Sequence, residues 1–473
     1  MSFAQRWRDI RTGFERPFWV ANISELFERL SYYAAFASLA RYLHEALQFP
    51  TEKASSLAGF FGGLVWFLAI FGGATADRLG FRRALSLAYL ILSCAYFLLG
   101  SIAAPWLGPV RDVVPLGALV VFVLALPALG IALVKPTVVG TTARASKENV
   151  RSIGYSIYYT LVNIGGAAGP IVASYVHRHM RVENVFRVAA LSVFVMFFLV
   201  LLLFREPTRA GDTELPSISQ VVRNFCVVLG NYKLVLPALG VALMLRLIAW
   251  FYPSLTIPWW VWAAIAAVVL SGISKFMWFL VIFTGYWIVY WQEFITLPLY
   301  VHGYVSPNID TELVLATGPI IVILFTVALS VLTQKARAFT AITAGTLITS
   351  LAWIILILYP SLTGVILTLI AVAIGEITQS PRYYEYISRL APAGQQGTYM
   401  GFAFLPLGIG SLIGGDFGGY LIHRFGEVEH RPAMMWWVII GVGVVTTILL
   451  WVYDHFFLPK PVAEIAATEA GAG

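Results

Sequence analysis

The chain is poor in charge. Only 12% of its 473 residues are Asp, Glu, Lys or Arg, where soluble domains carry about 25%. That excludes a soluble enzyme. The net charge of +7 does not indicate nucleic acid, because the basic residues sit in short loops between apolar runs, as the positive-inside rule gives. Cysteine is scarce too. Cys94 and Cys226 are the two present, too few for a disulfide scaffold or a Cys-based metal site. His177 and His179 are two apart and do not share a helix face. No metal, nucleotide or catalytic-triad motif stands in the sequence, so no cofactor and no enzymatic activity are expected. The start, Met1 to Pro17, holds four arginines and no apolar core. It does not read as a cleavable leader, and the first membrane segment is expected to insert uncleaved.

Apolar sequence is abundant, at 59%. Fourteen stretches reach the roughly 20 helical residues that span a bilayer: 18–46, 54–76, 82–105, 113–141, 149–177, 185–204, 232–252, 256–274, 276–302, 311–333, 337–359, 361–390, 396–423 and 431–457. They are long and continuous, unlike the short alternating segments of a barrel. The expected fold is an all-α polytopic membrane protein. Arg6, Arg8, Arg11, Arg16, Arg78, Arg82, Arg83, Arg144, Lys147, Arg151, Arg205, Arg209, Lys335 and Arg337 fall in alternate loops, which puts both termini in the cytoplasm. The opposite loops are poorer in Lys and Arg and hold most of the histidines.

The longest polar interruption runs from Glu206 to Ser219 and divides the chain. Gly130, Lys135 and Pro136 in the fourth stretch echo Gly375, Ser380 and Pro381 in the twelfth. In the stretches that follow, Gly154 and Gly165 have the same spacing as Gly397 and Gly408. Two related six-helix halves are a transporter signature. The expected organisation is a cytoplasmic tail over 1–17, a six-helix bundle over 18–205, and a linker with a two-helix insertion over 206–275. A second six-helix bundle over 276–457 and a cytoplasmic tail over 458–473 complete it.

A charge near the bilayer centre costs about 2.5–3.5 kcal/mol on insertion scales, so intramembrane charges mark interior sites. The first stretch carries Glu25, Glu28 and Arg29, followed by Tyr32 and Tyr33, at spacings that share one helix face. Two carboxylates beside a guanidinium can exchange protons and pair with a substrate carboxylate. Lys135 lies inside an apolar run, where it either snorkels to the interface or faces a cavity and needs a carboxylate or an anionic ligand. Asn163 can read a substrate amine or carboxylate, or join two helices. In the back half, Glu293 is a natural partner for Lys135. Trp287 and Trp291 wall a cavity or sit in an interfacial belt. Glu376 has no close sequence neighbour of opposite charge and is a candidate proton site or amine counter-charge, with Ser380 one turn on. Arg382 and Glu385 are spaced to pair with each other, and Arg246 reads as a local anchor. The Gly72–Arg83 stretch, with Gly73, Asp77 and Arg78, reads as a conformational element at a helix junction rather than a substrate site.

The Gly-Gly-x-x-Ala-Asp-Arg-x-x-Gly stretch at 72–80 resembles the loop motif of the major facilitator superfamily. More narrowly, the chain resembles the proton-coupled oligopeptide transporter (POT) family. Glu25, Glu28, Arg29, Tyr32 and Tyr33 match that family's E-x-x-E-R-F-x-Y-Y signature, with Leu30 for Phe. Lys135-Pro136, the run from Tyr159 to Gly165, Trp287 with Gln292, and Gly375, Glu376, Ser380 and Pro381 match its further motifs. The two extra helices between the halves also resemble its bacterial members. The resemblance implies that Arg29 and Lys135 hold a peptide carboxylate and that Asn163 and Glu376 hold the amino end. It implies that Tyr32 and Tyr33 line the pocket, that Glu25 and Glu28 couple protons, and that Glu293 forms a gating pair with Lys135.

Three positions depart from the family: Phe36 replaces a frequent base, Gly318-Pro319 stands for Asn-Pro, and Arg382 begins a bulky run after Ser-Pro. The function expected is proton-coupled symport of di- and tripeptides by alternating access, in a bacterial inner membrane, by a monomer whose partners are the substrate, protons and lipid. The departures support an alternative, a carrier of another small organic anion or zwitterion. A non-transporting receptor or membrane enzyme is the remote third reading.

Overall fold

A computed structural model of the protein describes residues 12–207, 223, 226–251, 257–333, 336–391 and 396–457. Arg6, Arg8, Arg11, Arg209, Lys335, most of the 206–219 linker and the tail 458–473 lie outside the described residues, as do the side chains of Asp77 and Arg246 and the surroundings of Gly73. Among the described residues the structure is helical, with two isolated bridges, Phe14 to Ser146 and Gly230 to Ile273.

A straight or broken helix covers each expected stretch. The first six are α1 (Arg16–Arg41), α2 (Thr51–Leu79), α3 (Phe81–Leu99), α4 (Leu116–Arg144), α5 (Arg151–His179) and α6 (Glu183–Leu203). Then come α7 (Tyr232–Phe251) and α8 (Trp259–Gly272). The last six are α9 (Lys275–Tyr290, continued to Tyr300), α10 (Thr311–Leu315 and Thr317–Thr333), α11 (Ala338–Leu358), α12 (Leu362–Leu390), α13 (Gln396–Phe402 and Leu405–Leu421) and α14 (Ala433–Phe457). Among the described residues seven helices are long and apolar enough to cross a membrane, or eight with the bent pair in α9 taken as one span. The helices α1, α2 and α5, with 26, 29 and 29 residues, are also long enough. By contrast α8 has 14 residues, about 21 Å of helix against a hydrocarbon core of about 30 Å.

The helices α1–α6 pack among themselves, α9–α14 do the same, and α7 packs on α8. The first and last groups meet along α2 with α13 and along α5 with α10. Glycine makes the first seam possible. A Cβ at Gly59 would lie 2.5 Å from the Ser411 carbonyl oxygen and 2.6 Å from the Gly415 Cα, so the two backbones touch. The internal echo has a packing counterpart. Gly130 lets α4 press on Leu92 of α3, and Gly375 lets α12 press on Gly345 and Thr349 of α11. In addition α1 and α9 run into short π-turns at Tyr42–Ala46 and Val301–Val305, at the same offset from Arg16 and Lys275.

Prolines shape the interior. The bend of 46° in α9 falls at Thr296, just before Pro298, which has no N–H to continue the ladder. Pro136 likewise gives nothing to the Ala132 carbonyl in α4. That oxygen lies against Gly72 of α2, where a Cβ would overlap it. The sequence motif at 72–83 is almost all helix. Only Gly80, at φ 81°, separates α2 from α3, and Glu206 accepts the first free N–H groups of α3, from Phe81 at 2.7 Å and Arg82 at 2.9 Å. Arg78 is exposed.

Candidate functional site

The site lies between the two groups at the level where α1, α4, α9 and α12 carry their polar residues. On α1, Glu25, Glu28, Arg29 and Tyr32 are each 3% exposed or less. Arg29 Nε donates to Glu28 Oε2 at 2.6 Å and lies 3.6 Å from Glu25 Oε1. Its guanidinium sits 4.9 Å from the Tyr32 ring centre. The cluster is only partly satisfied. Both Glu25 oxygens, Glu28 Oε1, Arg29 Nη2 and the Tyr32 hydroxyl are buried, with no hydrogen-bond partner among the described residues. Such atoms are costly in a folded interior unless a proton, ligand or water serves them.

Lys135 is half-buried, and its Nζ lies 4.3 Å from the Trp66 ring centre and 5.3 Å from that of Phe404. The expected Lys135–Glu293 pair is not formed in this conformation. Among the described residues neither has an ion-pair partner, and Glu293 is 2% exposed, its Oε1 3.0 Å from where a Gly318 Cβ would stand. So Gly318, where the resemblance led one to expect Asn, leaves room for that carboxylate.

On α12, Glu376 accepts a hydrogen bond from the Tyr290 hydroxyl at 3.1 Å. Ser380 is adjacent, its Oγ accepting from Gln379 Nε2 at 2.8 Å. Asn163 on α5 spends one amide hydrogen on the Tyr159 carbonyl at 2.8 Å, and Tyr159 itself is 48% exposed. Tyr33 packs 6.2 Å from Phe294. Trp287 and Trp291 are buried 5.9 Å apart, inside the protein rather than in an interfacial belt. Arg382 donates to Glu385 at 2.6 Å, as the spacing predicts. Gln292 is structural here, tying α9 to the Gly414 carbonyl of α13 at 3.1 Å.

Phe36 is fully buried. It stacks on Phe294 at 5.5 Å and Tyr32 at 5.7 Å, and meets Phe61 at 5.8 Å and Trp291 at 5.6 Å edge-on. An aromatic plug joining α1 and α2 to α9 thus occupies the place of the missing base.

Sequence reasoning missed the far end of the bundle, opposite the first turn of α1 and the last turn of α14. There Glu312, 1% exposed, accepts from Arg41 Nη1 at 3.0 Å and pairs with His177 Nδ1 at 2.9 Å. Arg41 also pairs with Glu45 at 2.8 Å. Asp310 accepts from Arg178 and from Ser174, both at 2.6 Å. These bonds tie α1 and α5 to the start of α10. The Arg41–Glu45 spacing was a readable signal, but its partners stand some 270 residues away.

A sequence profile of the Major Facilitator Superfamily matches residues 21–415. The dipeptide and tripeptide permease B of Photorhabdus asymbiotica is 26% identical over 264 residues, 55% of this chain and 48% of the relative. The matched part therefore spans about half the length of that relative. The multidrug resistance protein MdtH of Salmonella paratyphi B is 21% identical over 408 residues, 85% of each chain. In fold, a crystal structure of an auto-inhibited POT family peptide transporter superposes with a TM-score of 0.75 at 16% identity, covering 94% of this chain and 98% of the other. A profile that runs through both helical groups, on a fold shared with POT transporters, places the protein among multi-pass membrane carriers: the chain belongs to the Major Facilitator Superfamily.

Proposed function

We propose that the protein is a divergent POT-type carrier, a proton-coupled symporter of di- and tripeptides working by alternating access. One observation carries the reading. A buried Glu25–Glu28–Arg29 cluster and Lys135 stand on the first helical group, while Glu293 and Glu376, neither with an ion-pair partner among the described residues, stand on the second. A zwitterion fits that polarity, its carboxylate toward Arg29 and Lys135 and its amine toward Glu376, with Asn163, Ser380, Tyr32, Tyr33 and Trp287 around it.

The chemistry is competition for a cation. Glu28 and Glu25 hold Arg29. Protonation of either removes a negative charge and frees the guanidinium for the cargo carboxylate, whose fork it matches. Protonation of Glu293 removes the repulsion it exerts on a second negative charge. Proton and substrate binding then favour each other, which is the linkage a symporter needs. In this reading residues 18–205 and 276–457 are the rocking halves, 206–275 is an insertion, and both termini face the cytoplasm of a bacterial inner membrane. The Arg41–Glu312 end is then the outer gate, closed here.

The test is uptake of labelled dialanine into proteoliposomes with and without an inward proton gradient. Gradient-driven accumulation by the wild type, abolished in Lys135→Ala, is expected; full uptake by Lys135→Ala refutes the role of Lys135. A second reading, a carrier of another small organic anion or zwitterion, is favoured by the Phe36 plug and by Gly318 and Arg382 at the other departures from the family pattern. Absence of both dialanine uptake and dialanine counterflow selects it.

A further inference from the structure

We propose that Trp66 and Phe404 form an aromatic cradle that holds the Lys135 ammonium in place of a carboxylate, and that this cradle positions Lys135 for the anionic end of the cargo. The inference rests on the reading of Lys135 as a cargo-binding residue and adds two residues that no motif singled out.

Four observations meet here. Lys135 has no ion pair within the described residues, although it is half-buried in an apolar helix. Its Nζ instead lies against two rings at 4.3 and 5.3 Å, within the range of about 6 Å where a ring face attracts a cation. The rings are themselves stacked, 5.6 Å apart and 21° from parallel. They also come from opposite groups. Trp66 is on α2, and Phe404 is at the break between the two parts of α13, so the cradle is assembled only when α2 and α13 are together.

The physical logic separates the cradle from an ion pair. A carboxylate partner would neutralise Lys135 and would have to be displaced by an anionic cargo. A ring face attracts the ammonium through its quadrupole and leaves its net charge in place. It holds Lys135 charged in a low-dielectric site without competing for the cargo oxygen. The cradle also restricts the four-carbon stem, so less side-chain freedom is lost on binding. Trp66 is 9% exposed, so little water screens the contact.

The experiment replaces Trp66 with tryptophans carrying one, two and three ring fluorines, which weaken the quadrupole stepwise while changing shape little. Dialanine affinity is then measured by its protection of the purified carrier against heat. A monotonic fall in affinity across the series, reaching about tenfold, with Trp66→Leu at least as weak and Trp66→Phe partly restored, is expected. The tenfold change corresponds to about 1.4 kcal/mol, inside the range for partly desolvated cation–π contacts. A flat series with unchanged affinity overturns the cradle. A second arm needs no cargo. The fluorine resonance of singly fluorinated Trp66 is recorded with and without Lys135→Gln, and a resonance that does not move overturns the contact itself. If wild-type carrier shows no response to dialanine while the resonance moves, the cradle stands and the peptide reading fails.

Discussion

Glu312→Gln is the sharpest perturbation of the far-end lock. Glu312 is 1% exposed and serves Arg41 at 3.0 Å, Thr311 at 3.3 Å and His177 at 2.9 Å. Breaking a buried ion pair costs about 3–5 kcal/mol when a charge is left stranded. Here Arg41 keeps Glu45 at 2.8 and 3.2 Å, so the stranding is partial and the loss is about 2 kcal/mol. The Arg178–Asp310 bond survives but involves an arginine side chain 58% exposed, so it contributes less than about 1 kcal/mol. The lock joins α1 and α5 to α10. Its loss therefore falls on the closed conformation and not on the fold of either group. A loss of about 2 kcal/mol moves an open–closed equilibrium about 30-fold. The assay is a distance distribution between spin labels at the exposed positions Met180 and Asn308. A second, longer population is expected in Glu312→Gln while the purified protein keeps its heat stability. An unchanged distribution in a well-folded variant refutes the assignment of this cluster as a lock between the groups.

Three further outcomes are expected. Phe36→Ala empties a fully buried aromatic site and should lower stability by about 3–5 kcal/mol, read as a fall in the melting temperature of detergent-purified protein; a fall no larger than that of an exposed Phe122→Ala control counts against the plug. The Asp310 carboxyl, outside the membrane-spanning stretches, is raised by burial, but bonds from Ser174, the Leu313 amide and Arg178 outweigh this and hold it below the usual carboxylate range. Its contribution to closure is therefore complete above the unfolded value of about 3.9 and lost only as pH falls through the lower folded value. The spin-label distances should thus show no opening from this residue between pH 8 and 5. Asp310→Asn, which breaks the Arg178 bond, should show some opening at pH 7.

How legible each feature was depends on how local its cause is. Helix positions follow from runs of about 20 apolar residues, a local property, and every expected stretch carries a helix. The Arg382–Glu385 pair needs one helical turn and was readable from spacing. The Glu25, Glu28, Arg29 and Tyr32 stripe is equally local, because a helix fixes which residues share a face. Lys135 shows the limit. Its charge announced a partner, but complementary sign suggested Glu293, whereas in this conformation its ammonium lies against two aromatic rings. Trp66 and Phe404 are two aromatic residues among many in this sequence. Only the approach of α2 to α13, allowed by Gly59 and Gly415, selects them.

The sequence by itself therefore determined the class of protein, the helices and the identity of the intramembrane charges, since burying a charge in lipid is expensive wherever it occurs. The tertiary structure alone decided who meets whom. It put Phe36 into an aromatic plug rather than a gap, turned the Ala132 carbonyl freed by Pro136 onto Gly72, and brought Glu312 to Arg41 and His177. Those pairings join residues tens to hundreds of positions apart, where no local periodicity carries information and close packing of helices makes the choice.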